Sequence, residues 1–432
     1  MICQAFANRE AIRAHQLRAL GHLLSVVAAD NPFYAPILRQ AGLAGGVEDL
    51  DEFFRKMPFT CKEAIVEDQR RHPPYGTNLT YPLAEYSRFN QTSASTATPI
   101  RWLDTRESWQ AMLDNWKQVY RAAGVTAGDC LYFAFSFGPF LGFWTAFEAA
   151  CQWECRAIPG GGLSSLARLE AIRDNRADVL LATPTYVLRL AEVARAEKID
   201  PATLAVRTII VAGEPGGSVP AVRRRIESLW PRATLFDQHG MTEVGPVSYQ
   251  CPGRPGTLLV MEDSFLAEIV DPRSGRPAVR GEPGELVLTT LGRLGSPLLR
   301  YRTGDLVQED LGAADQEGVC GLALRGGILG RTDDMLLVRG VNVYPTAIDE
   351  LLRSIPAVAE YQVELDHEDA MTEMRLRVEP SAECGDRDAL VRQIETRFRS
   401  QFHLRVPVSL CPPGTLPRFE MKARRFVIRG RP

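Results

Sequence analysis

A loop rich in hydroxyl side chains, QTSASTATP at residues 91–99, is the first segment whose residue types could do chemistry. Small residues let backbone N–H groups approach an anion, and hydroxyl groups add further donors for phosphate oxygens. The Walker spacing, GxxxxGK followed by Ser or Thr, is absent, and a Ser/Thr-rich loop read alone is usually a solvated turn. Its candidate phosphate contacts are Ser93, Ser95, Thr96 and Thr98.

Two further motifs place acidic side chains beside small or hydroxyl residues. In DQHGMTE, residues 237–243, the Thr242 hydroxyl and the Glu243 carboxylate could together serve a phosphate and its Mg²⁺. The alternative is a helix that begins there, with Thr242 as its N-cap. In YRTGD, residues 301–305, Gly304 predicts a tight turn that presents Asp305 to the hydroxyls of a ribose. The alternative there is a turn closed by an internal Arg–Asp pair.

Two charged segments lie further along the chain. GRTDDMLLVRG, residues 330–340, leads from a charged loop into a strand and is the most plausible linker between domains. LPRFEMKARR, residues 416–425, carries Lys422, and a tail of this composition read alone is usually solvated. Neither segment by itself identifies an activity.

The elements that must hold these motifs follow a regular order. Residues 8–42 have helical spacing that is interrupted at Asn31-Pro32. From about residue 128, strand-like and helix-like segments alternate, which predicts a mainly parallel sheet flanked by helices, with ligands at the carboxyl ends of its strands. After residue 250 the pattern indicates a β-rich subdomain, and from about residue 334 a small α+β domain. The predicted class is therefore α/β. The loops at the predicted ligand edge are residues 159–162, 183–186, 212–217 and 237–243.

Composition excludes several classes of protein. The 432 residues are 45% hydrophobic and 24% charged, values that rule out disordered, collagen-like and coiled-coil chains. The 50 basic and 53 acidic residues give a net charge of −3, which argues against a dedicated nucleic-acid binder. The 9 cysteines include no CxxC pair and indicate free thiols in a reducing compartment. The start MICQAFANRE lacks the pattern of a signal peptide, and Gly-Pro interrupts the apolar run at 131–147, so we expect a cytoplasmic protein without a membrane span.

The order of the motifs is more specific than any one of them. A hydroxyl loop, AGEP, HGMTE, YRTGD, GRTDD with VRGVNVYP, and PRFEMK follow one another in a sequence that resembles the adenylate-forming ligases. Within them it resembles the phenylacetate–CoA ligase family of aryl-acid CoA ligases, to which NPFYAPIL, GELVLTT, SPLLRYRTGDL and GRTDDMLLVRGVNVYP are close. The resemblance runs from about residue 14 to residue 425. It implies that a carboxylic acid reacts with ATP·Mg²⁺ to give an acyl-adenylate and pyrophosphate, and that the coenzyme A sulfur then attacks the adenylate.

The resemblance also implies a role for each motif residue. Glu243 would bind Mg²⁺, Thr242 would contact the α-phosphate, and Lys422 would bridge the α-phosphate and the carboxylate of the acid. An N-terminal domain of residues 1–332 would carry the binding sites, and a mobile C-terminal domain of residues 333–432 would rotate about Asp333 between the two half-reactions. The implied nucleotide contacts are Asp305 and Arg331 at the ribose, Ala212, Gly213, Glu214 and Pro215 beside adenine, and His239, Gly240 and Met241 in the adjoining motif.

The acid pocket implied by the resemblance lies in the strand–turn–helix at residues 131–147 and in the loop that follows the next strand. A slot lined by aromatic side chains suits the flat ring of an aryl acid, and an ordinary hydrophobic core is the alternative for the same residues. The candidate pocket residues are Phe135, Phe137, Phe140 and Trp144, with Gly160, Gly161 and Gly162 in the loop.

Three departures from the family pattern concern the nucleotide site. The phosphate loop of the family usually reads like SSGTTGKP, whereas here Ala94 and Ala97 replace both glycines and Thr98 replaces the cation. His239 stands where the family often has Tyr, and Met421 replaces a Gly before the lysine. Three hypotheses therefore stay open: ligation of an aryl acid to coenzyme A, adenylation with transfer to a carrier-protein thiol or an amine, and binding of a nucleotide or acyl ligand without turnover. A homodimer stays open as well.

Overall fold

Helices open the chain in the computed structural model, which describes residues 6–92, 99–313, 320–339, 341–368, 371–419 and 423–429. The helix predicted from residue 8 ends at Asp30, where the Asn31 N–H donates to the Val27 carbonyl at 3.1 Å and the Asn31 side chain accepts from the Tyr34 N–H at 3.0 Å. The predicted interruption at Asn31-Pro32 is confirmed. These helices are α1 (Arg9–Asp30), α2 (Tyr34–Gln40), α3 (Leu50–Lys56) and α4 (Lys62–Arg71).

The central sheet begins after an antiparallel hairpin that flanks the hydroxyl-rich loop. The hairpin consists of β1 (Tyr86–Gln91) and β2 (Arg101–Thr105), and α5 (Arg106–Ala122) follows it. Strands and helices then alternate as predicted: β3 (Cys130–Phe133), α6 (Leu141–Gln152), β4 (Arg156–Pro159), α7 (Ser165–Asp174), β5 (Val179–Ala182), α8 (Pro184–Ala196), β6 (Thr208–Val211), α9 (Pro220–Leu229) and β7 (Thr234–Met241). All five strands run parallel, in the order β7-β6-β5-β3-β4. Ser164 and Thr183 cap α7 and α8 by accepting backbone N–H groups, which explains where these helices start.

The β-rich part after residue 244 supplies strands to two sheets. Its strands are β8 (Gly245–Gln250), β9 (Thr257–Val260), β10 (Phe265–Val270), β11 (Pro283–Thr290), β12 (Tyr301–Gln308), β13 (Ala323–Arg325) and β14 (Gly330–Arg331). Strands β8, β9 and β13 extend the central sheet beyond β7 in antiparallel pairing, so that eight of the described strands belong to it. The other four form an antiparallel sheet in the order β10-β11-β12-β14.

The YRTGD motif lies inside β12, so the tight turn predicted at Gly304 is wrong. Gly304 has a φ of +75°, and the pairing of β11 with β12 shifts its register between Glu285 and Val287. A Cβ on Gly304 would lie 2.6 Å from the Arg331 guanidinium. Glycine is therefore needed at a bulge within a strand, where it admits the guanidinium next to Asp305.

A smaller α+β unit follows, with a hydrophobic core of its own. Its elements are β15 (Leu336–Val338), β16 (Val341–Val343), α10 (Pro345–Arg353), β17 (Val358–Glu368), β18 (Met371–Pro380), α11 (Arg387–Phe402), β19 (Val408–Leu410) and β20 (Phe426–Arg429). Four of these strands form a sheet in the order β19-β18-β17-β20, and residues such as Tyr361, Val363, Ile394 and Phe398 fill its core. The α/β class with a small C-terminal domain is thus as predicted.

The central sheet separates two hydrophobic cores. Leu131, Phe133 and Phe135 belong to the core on one face, whereas Tyr132 and Ala134 belong to the core that α7, α8 and α9 cover. This alternation is expected for a strand that is buried on both faces. No helix in the part of the chain that the structure describes combines the length and the apolar character needed to cross a membrane.

Candidate active site

The predicted ligand edge is formed by the loops that follow β5, β6 and β7. Strand β6 lies between the other two, with Val211 paired to both Ala182 and Asp237. A Cβ on Gly217 would lie 2.4 Å from the Asp237 carboxyl group, and one on Gly216 would lie 2.6 Å from the Pro184 ring. The backbone at 212–217 is therefore pressed against the neighbouring loops. At this edge Ala212 and Glu214 are half-buried, and Gly213 and Pro215 are exposed.

Asp305 contacts both Arg331, which is also predicted to bind the ribose, and His239 of the DQHGMTE motif. Asp305 accepts a hydrogen bond from Arg331 Nη1 at 3.2 Å, and its other oxygen lies 3.1 Å from His239 Nε2. The Arg331 guanidinium also pairs with Asp333, at 2.8 and 3.1 Å. Ser248 Oγ lies 3.3 Å from the other ring nitrogen of His239 and so helps to orient the imidazole. The structure thus brings together four predicted residues from three separate motifs.

The alternative for YRTGD, an internal Arg–Asp pair, is wrong. Arg300 pairs with Glu268 at 2.8 Å, and Arg302 pairs with Glu285 through its Nε at 2.9 Å. Arg302 of the motif and Arg300 just before it are thereby directed to neighbouring strands. Asp305 is left to the more distant Arg331.

Thr242 and Glu243 occupy the turn of an antiparallel hairpin. Strand β7 continues to Met241 and β8 starts at Gly245, so a helix starting at Thr242 is excluded. Gly240 also belongs to this hairpin, because a Cβ on it would lie 2.7 Å from the Gly245 carbonyl oxygen. Glu243 is buried, whereas Thr242 is half-buried.

A buried ion pair holds this turn from behind. The Arg293 guanidinium donates to both oxygens of Asp104, at 2.6 and 2.8 Å, with side-chain exposures of 2% and 0%. Its remaining nitrogen donates to the carbonyl oxygens of Thr242, at 3.1 Å, and Glu243. Two planar donors matched to one carboxylate give a defined orientation. The pair therefore sets the position of the hairpin turn.

A lysine from the N-terminal helices approaches the same turn. Lys62 Nζ lies 4.0 Å from the Glu243 carboxylate. The chain just before it pairs with β12: the Thr60 N–H donates to the Arg300 carbonyl and the Arg302 N–H donates to the Thr60 carbonyl, each at 3.0 Å. Two backbone hydrogen bonds therefore fix where α4 begins, and Lys62 is its first residue.

A buried carboxyl group lies just before the hairpin turn. Ser218 Oγ donates to Asp237 at 2.6 Å, and Asp237 is buried. Burial raises the pKa of the Asp237 carboxyl to about 6, because desolvation outweighs the opposite effects of the Ser218 hydrogen bond and the charges of Arg223 and His239. Asp237 therefore changes its charge nearer neutral pH than an exposed aspartate does.

The candidate acid pocket is a cluster of aromatic rings. Phe135 stacks on Phe143 with 4.2 Å between ring centroids, and Phe137 makes edge contacts with Trp144 and Phe147 at 5.0 and 5.5 Å. Such stacked and edge-on pairs are the preferred geometries of aromatic side chains. Phe135 is also part of the main core, so the pocket and core interpretations both remain compatible with these contacts.

The remaining predicted pocket residues lie around this cluster. Phe140 is half-buried with its ring centroid 6.3 Å from that of Phe143. A Cβ on Gly161 would lie 3.4 Å from the Phe137 ring. Gly162 has a φ of +74°, and a Cβ there would point into open space. Phe135, Phe137, Phe140 and Gly161 are thus brought together, and Gly162 lies beside them without a contact of this kind.

Glu214 makes a contact that the sequence did not predict. Its two carboxylate oxygens accept backbone hydrogen bonds from the Thr185 N–H, at 2.8 Å, and from the Ala423 N–H, at 2.9 Å. The second bond joins the loop after β6 to the C-terminal domain. Five predicted site residues lie outside the described residues: Ser93, Ser95, Thr96, Thr98 and Lys422.

Sequence reasoning missed four residues around the hairpin turn. Asp237 belonged to a quoted motif but had no role there. Arg293 stands alone among apolar or small neighbours in LGRLGS, and an isolated charge in such a setting is a signal for a buried pair. Asp104 carries no such signal, because Arg106 and Glu107 follow it closely. Lys62 carries no such signal, because its role depends on how α4 docks against β12.

Comparisons with known proteins identify relatives of this chain. The family described as AMP-binding enzyme matches residues 92–292, and the AMP-binding enzyme C-terminal domain matches residues 340–429. A phenylacetate-coenzyme A ligase of Thermus thermophilus is 33% identical over 97% of this chain and 97% of that protein. One of Pseudomonas putida is 32% identical over 96% of this chain and 94% of that protein.

The solved structures add information about domain arrangement. A 2-hydroxyisobutyryl-CoA ligase in the postadenylation state with 2-HIB-AMP is 28% identical over 99% of this chain and 91% of that chain, with a TM-score of 0.89. The same ligase with 2-HIB-AMP and CoA in the thioesterification state gives a TM-score of 0.71 over 96% of this chain and 89% of that chain. The structure of this chain therefore matches the first of these two structures better than the second.

Fold, site and comparisons together define an adenylate-forming enzyme. The chain belongs to the AMP-binding enzymes and, within them, to the phenylacetate–CoA ligase family. It is an AMP-forming acid–CoA ligase that uses ATP and coenzyme A.

Proposed function

We propose that this protein joins an aryl carboxylic acid to coenzyme A through an acyl-adenylate. The observation that carries the proposal is the contact of His239, Asp305 and Arg331, which come from three separated motifs and meet within hydrogen-bonding distance. In the first step the acid's carboxylate attacks the α-phosphorus of ATP and pyrophosphate leaves. In the second step the coenzyme A thiolate attacks the acyl carbon, the acyl–phosphate bond breaks, and AMP leaves.

The nucleotide would bind across the loops that follow β6 and β7. Asp305 has the two carboxylate oxygens needed to accept both ribose hydroxyls, and Arg331 holds that carboxylate in place. The segment Ala212–Pro215 and the His239 imidazole would flank adenine, with Gly240 and Met241 forming the adjoining backbone. Small and exposed residues in this segment leave room for a flat base.

Glu243 is the residue that we propose for Mg²⁺. The described residues contain no group of three or more metal-ligating side chains. A single buried carboxylate fits Mg²⁺, which is commonly bound through one or two carboxylates together with substrate phosphates. When bound, Mg²⁺ would neutralise charge on those phosphates. The Thr242 hydroxyl beside it is available to donate to an α-phosphate oxygen.

Lys62 would supply a cation that the phosphate loop lacks. Thr98 replaces the lysine or arginine expected in that loop, and the Lys62 ammonium lies 4.0 Å from Glu243. A positive charge at this point would favour the departing pyrophosphate, which carries most of the negative charge of the reaction. The hydroxyls of Ser93, Ser95 and Thr96 would contribute further donors.

An aryl acid is the substrate class that the aromatic cluster favours. Phe135 and Phe137 present ring faces and edges, and Gly161 keeps one wall free of a side chain. Flat rings pack well against such surfaces. The C-terminal domain, from residue 333, would bring Lys422 to the α-phosphate and would then rotate about Asp333 for the second step.

The experiment that tests this function is acid-dependent exchange of pyrophosphate into ATP. Phenylacetate, benzoate and other aryl acids would be compared with 2-hydroxyisobutyrate and short aliphatic acids, and coenzyme A would then be added. We expect exchange with aryl acids and a thioester after coenzyme A is added. Exchange without a thioester would favour a carrier-protein thiol or an amine as acceptor. Nucleotide binding without exchange for any acid would contradict the proposal.

A further inference from the structure

Glu214 connects the nucleotide edge of the central sheet to the C-terminal domain. One carboxylate oxygen accepts the Thr185 N–H at the start of α8, and the other accepts the Ala423 N–H. Glu214 lies in the loop that follows β6, and Thr185 lies in the first turn of α8, just after β5. The carboxylate therefore has one partner that stays with the sheet and one that belongs to the other domain.

The hydrogen bond from Ala423 to Glu214 lies next to the predicted catalytic lysine in the sequence. Ala423 follows Lys422 directly in the sequence and precedes β20, which is part of the C-terminal sheet. A hydrogen bond to the Ala423 backbone restrains the chain one residue from the predicted catalytic lysine. Hydrogen bonds to an ionised acceptor are shorter and stronger than neutral ones, so this restraint is a substantial one.

Two other contacts between the two domains lie away from the nucleotide loops, whereas Arg425 Nη1 donates to Thr185 Oγ1 at 3.5 Å, beside Glu214. Glu350 on α10 accepts the Ala221 N–H at 2.8 Å, and Arg418 lies 3.4 Å from Glu192 on α8. Both contacts join the C-terminal domain to the helices that flank the sheet. Glu214 differs from them because it lies in the segment predicted to flank adenine.

We propose that Glu214 is a positioning residue for the adenylation half-reaction. Its carboxylate holds the segment that carries Lys422 through the Ala423 N–H, and this bond breaks when the C-terminal domain rotates for thioester formation. The inference rests on the proposed function and adds to it a residue that serves one half-reaction only. The similarity of this arrangement to a postadenylation complex agrees with the assignment, because the bond is present here.

The test separates the two half-reactions in the full-length protein. In Glu214→Gln the amide has one acceptor oxygen. The N–H groups of Thr185 and Ala423 can then no longer each donate to a separate oxygen. We expect the rate of acyl-adenylate formation to fall about ten- to a hundredfold, since a bond to a charged acceptor is worth about 1.5–3 kcal/mol and each 1.4 kcal/mol is tenfold. Thioester formation from a preformed acyl-adenylate should change less than about threefold, because it does not use the bond.

Two results would overturn the proposal. An equal loss in both half-reactions would mean that Glu214 is a general structural residue. Glu350→Gln is the matched control, because it neutralises a carboxylate that accepts a similar backbone hydrogen bond between the same domains. Its adenylation rate should stay near that of the wild type, and a loss as large as that of Glu214→Gln would also contradict the proposal.

A second variant removes the donor instead of the acceptor. Ala423→Pro lacks the N–H group, and in the double variant with Glu214→Gln the adenylation rate should fall no further than in the single variants. Additive losses would contradict a shared bond. If Ala423→Pro does not fold, the comparison of the two half-reactions in Glu214→Gln alone tests the proposal. Wild-type exchange is measured first, so a failure of the proposed function is recognised before any variant is interpreted.

Discussion

At the scale of single residues, the buried pair of Arg293 and Asp104 determines where the Thr242–Glu243 turn lies. The guanidinium also donates to both carbonyls of that turn. Its orientation therefore fixes the backbone position of Glu243, the predicted metal ligand. Lysine in its place would keep the charge and lose the planar set of donors. The position of the Glu243 carboxylate should therefore depend on a side chain that contacts no substrate.

We expect Arg293→Lys to lower the free energy of unfolding by about 2 kcal/mol and to raise the Mg²⁺ concentration needed for half-maximal exchange. Denaturant unfolding and Mg²⁺ titration of the exchange rate measure the two effects. Arg280→Lys is the matched control, because Arg280 makes a similar two-point contact with Glu309 on the surface. It should leave both quantities unchanged, and an Arg293→Lys enzyme with normal Mg²⁺ dependence would contradict the positioning role.

Substitutions of Glu243 and Asp305 should distinguish a loss of metal binding from a loss of nucleoside binding. In Glu243→Gln the lost charge faces the metal, so use of Mg·ATP should weaken about tenfold or more while AMP binding is nearly retained. In Asp305→Ala the lost acceptor faces the ribose, which ATP and AMP share, so both should weaken about ten- to a hundredfold. Calorimetric titration with each nucleotide checks this. Identical profiles for the two variants would argue against the roles.

At the scale of elements, α4 contributes to the site because the chain before it pairs with β12. Lys62→Met should raise the KM for ATP about fivefold and leave the affinity for AMP unchanged, since a half-exposed charge contributes up to about 1 kcal/mol. Steady-state kinetics and AMP titration measure the two quantities. Lys56→Met is the control, because Lys56 pairs with Glu52 on α3 and lies away from Glu243. A Lys62→Met enzyme with weaker AMP binding would place the lysine elsewhere on the nucleotide.

The alternation of strands and helices was predictable because each repeat carries local signals. Ser164 and Thr183 mark helix starts, and the buried strands β3, β5 and β6 read as apolar runs. The helix considered at Thr242 was excluded because β7 turns back into an antiparallel strand, which a capping residue alone does not reveal. The turn predicted at Gly304 is in fact a bulge. Glycine at positive φ is suited to a turn and to a bulge alike, and only the pairing of β12 with β11 distinguishes the two.

The site was predictable only in part, for reasons of distance along the chain. His239, Asp305 and Arg331 were found because each lies in a recognisable motif. Arg293 and Asp104 are 189 residues apart, and Lys62 reaches Glu243 across the interface between the N-terminal helices and the sheet. Such contacts depend on tertiary packing, and the local spacing of residues in the sequence does not predict them.

At the scale of the whole molecule, the two half-reactions should depend on different contacts of the C-terminal domain. Lys422→Ala should slow acyl-adenylate formation by about a hundredfold or more, because a cation between two approaching anions acts mainly electrostatically. Thioester formation from a preformed acyl-adenylate should remain largely intact. Rapid-quench measurement of each half-reaction tests this, and an equal loss in both would show that Lys422 does not serve adenylation alone.

We propose that one site carries adenylation of an aryl acid and its transfer to coenzyme A despite the altered phosphate loop. The most direct measurement is exchange of labelled pyrophosphate into ATP by the wild-type protein, with and without phenylacetate, followed by addition of coenzyme A. We predict exchange only when the acid is present, and an aryl-CoA thioester with AMP once coenzyme A is added. Binding of ATP without exchange, for every acid in the panel, would contradict the claim.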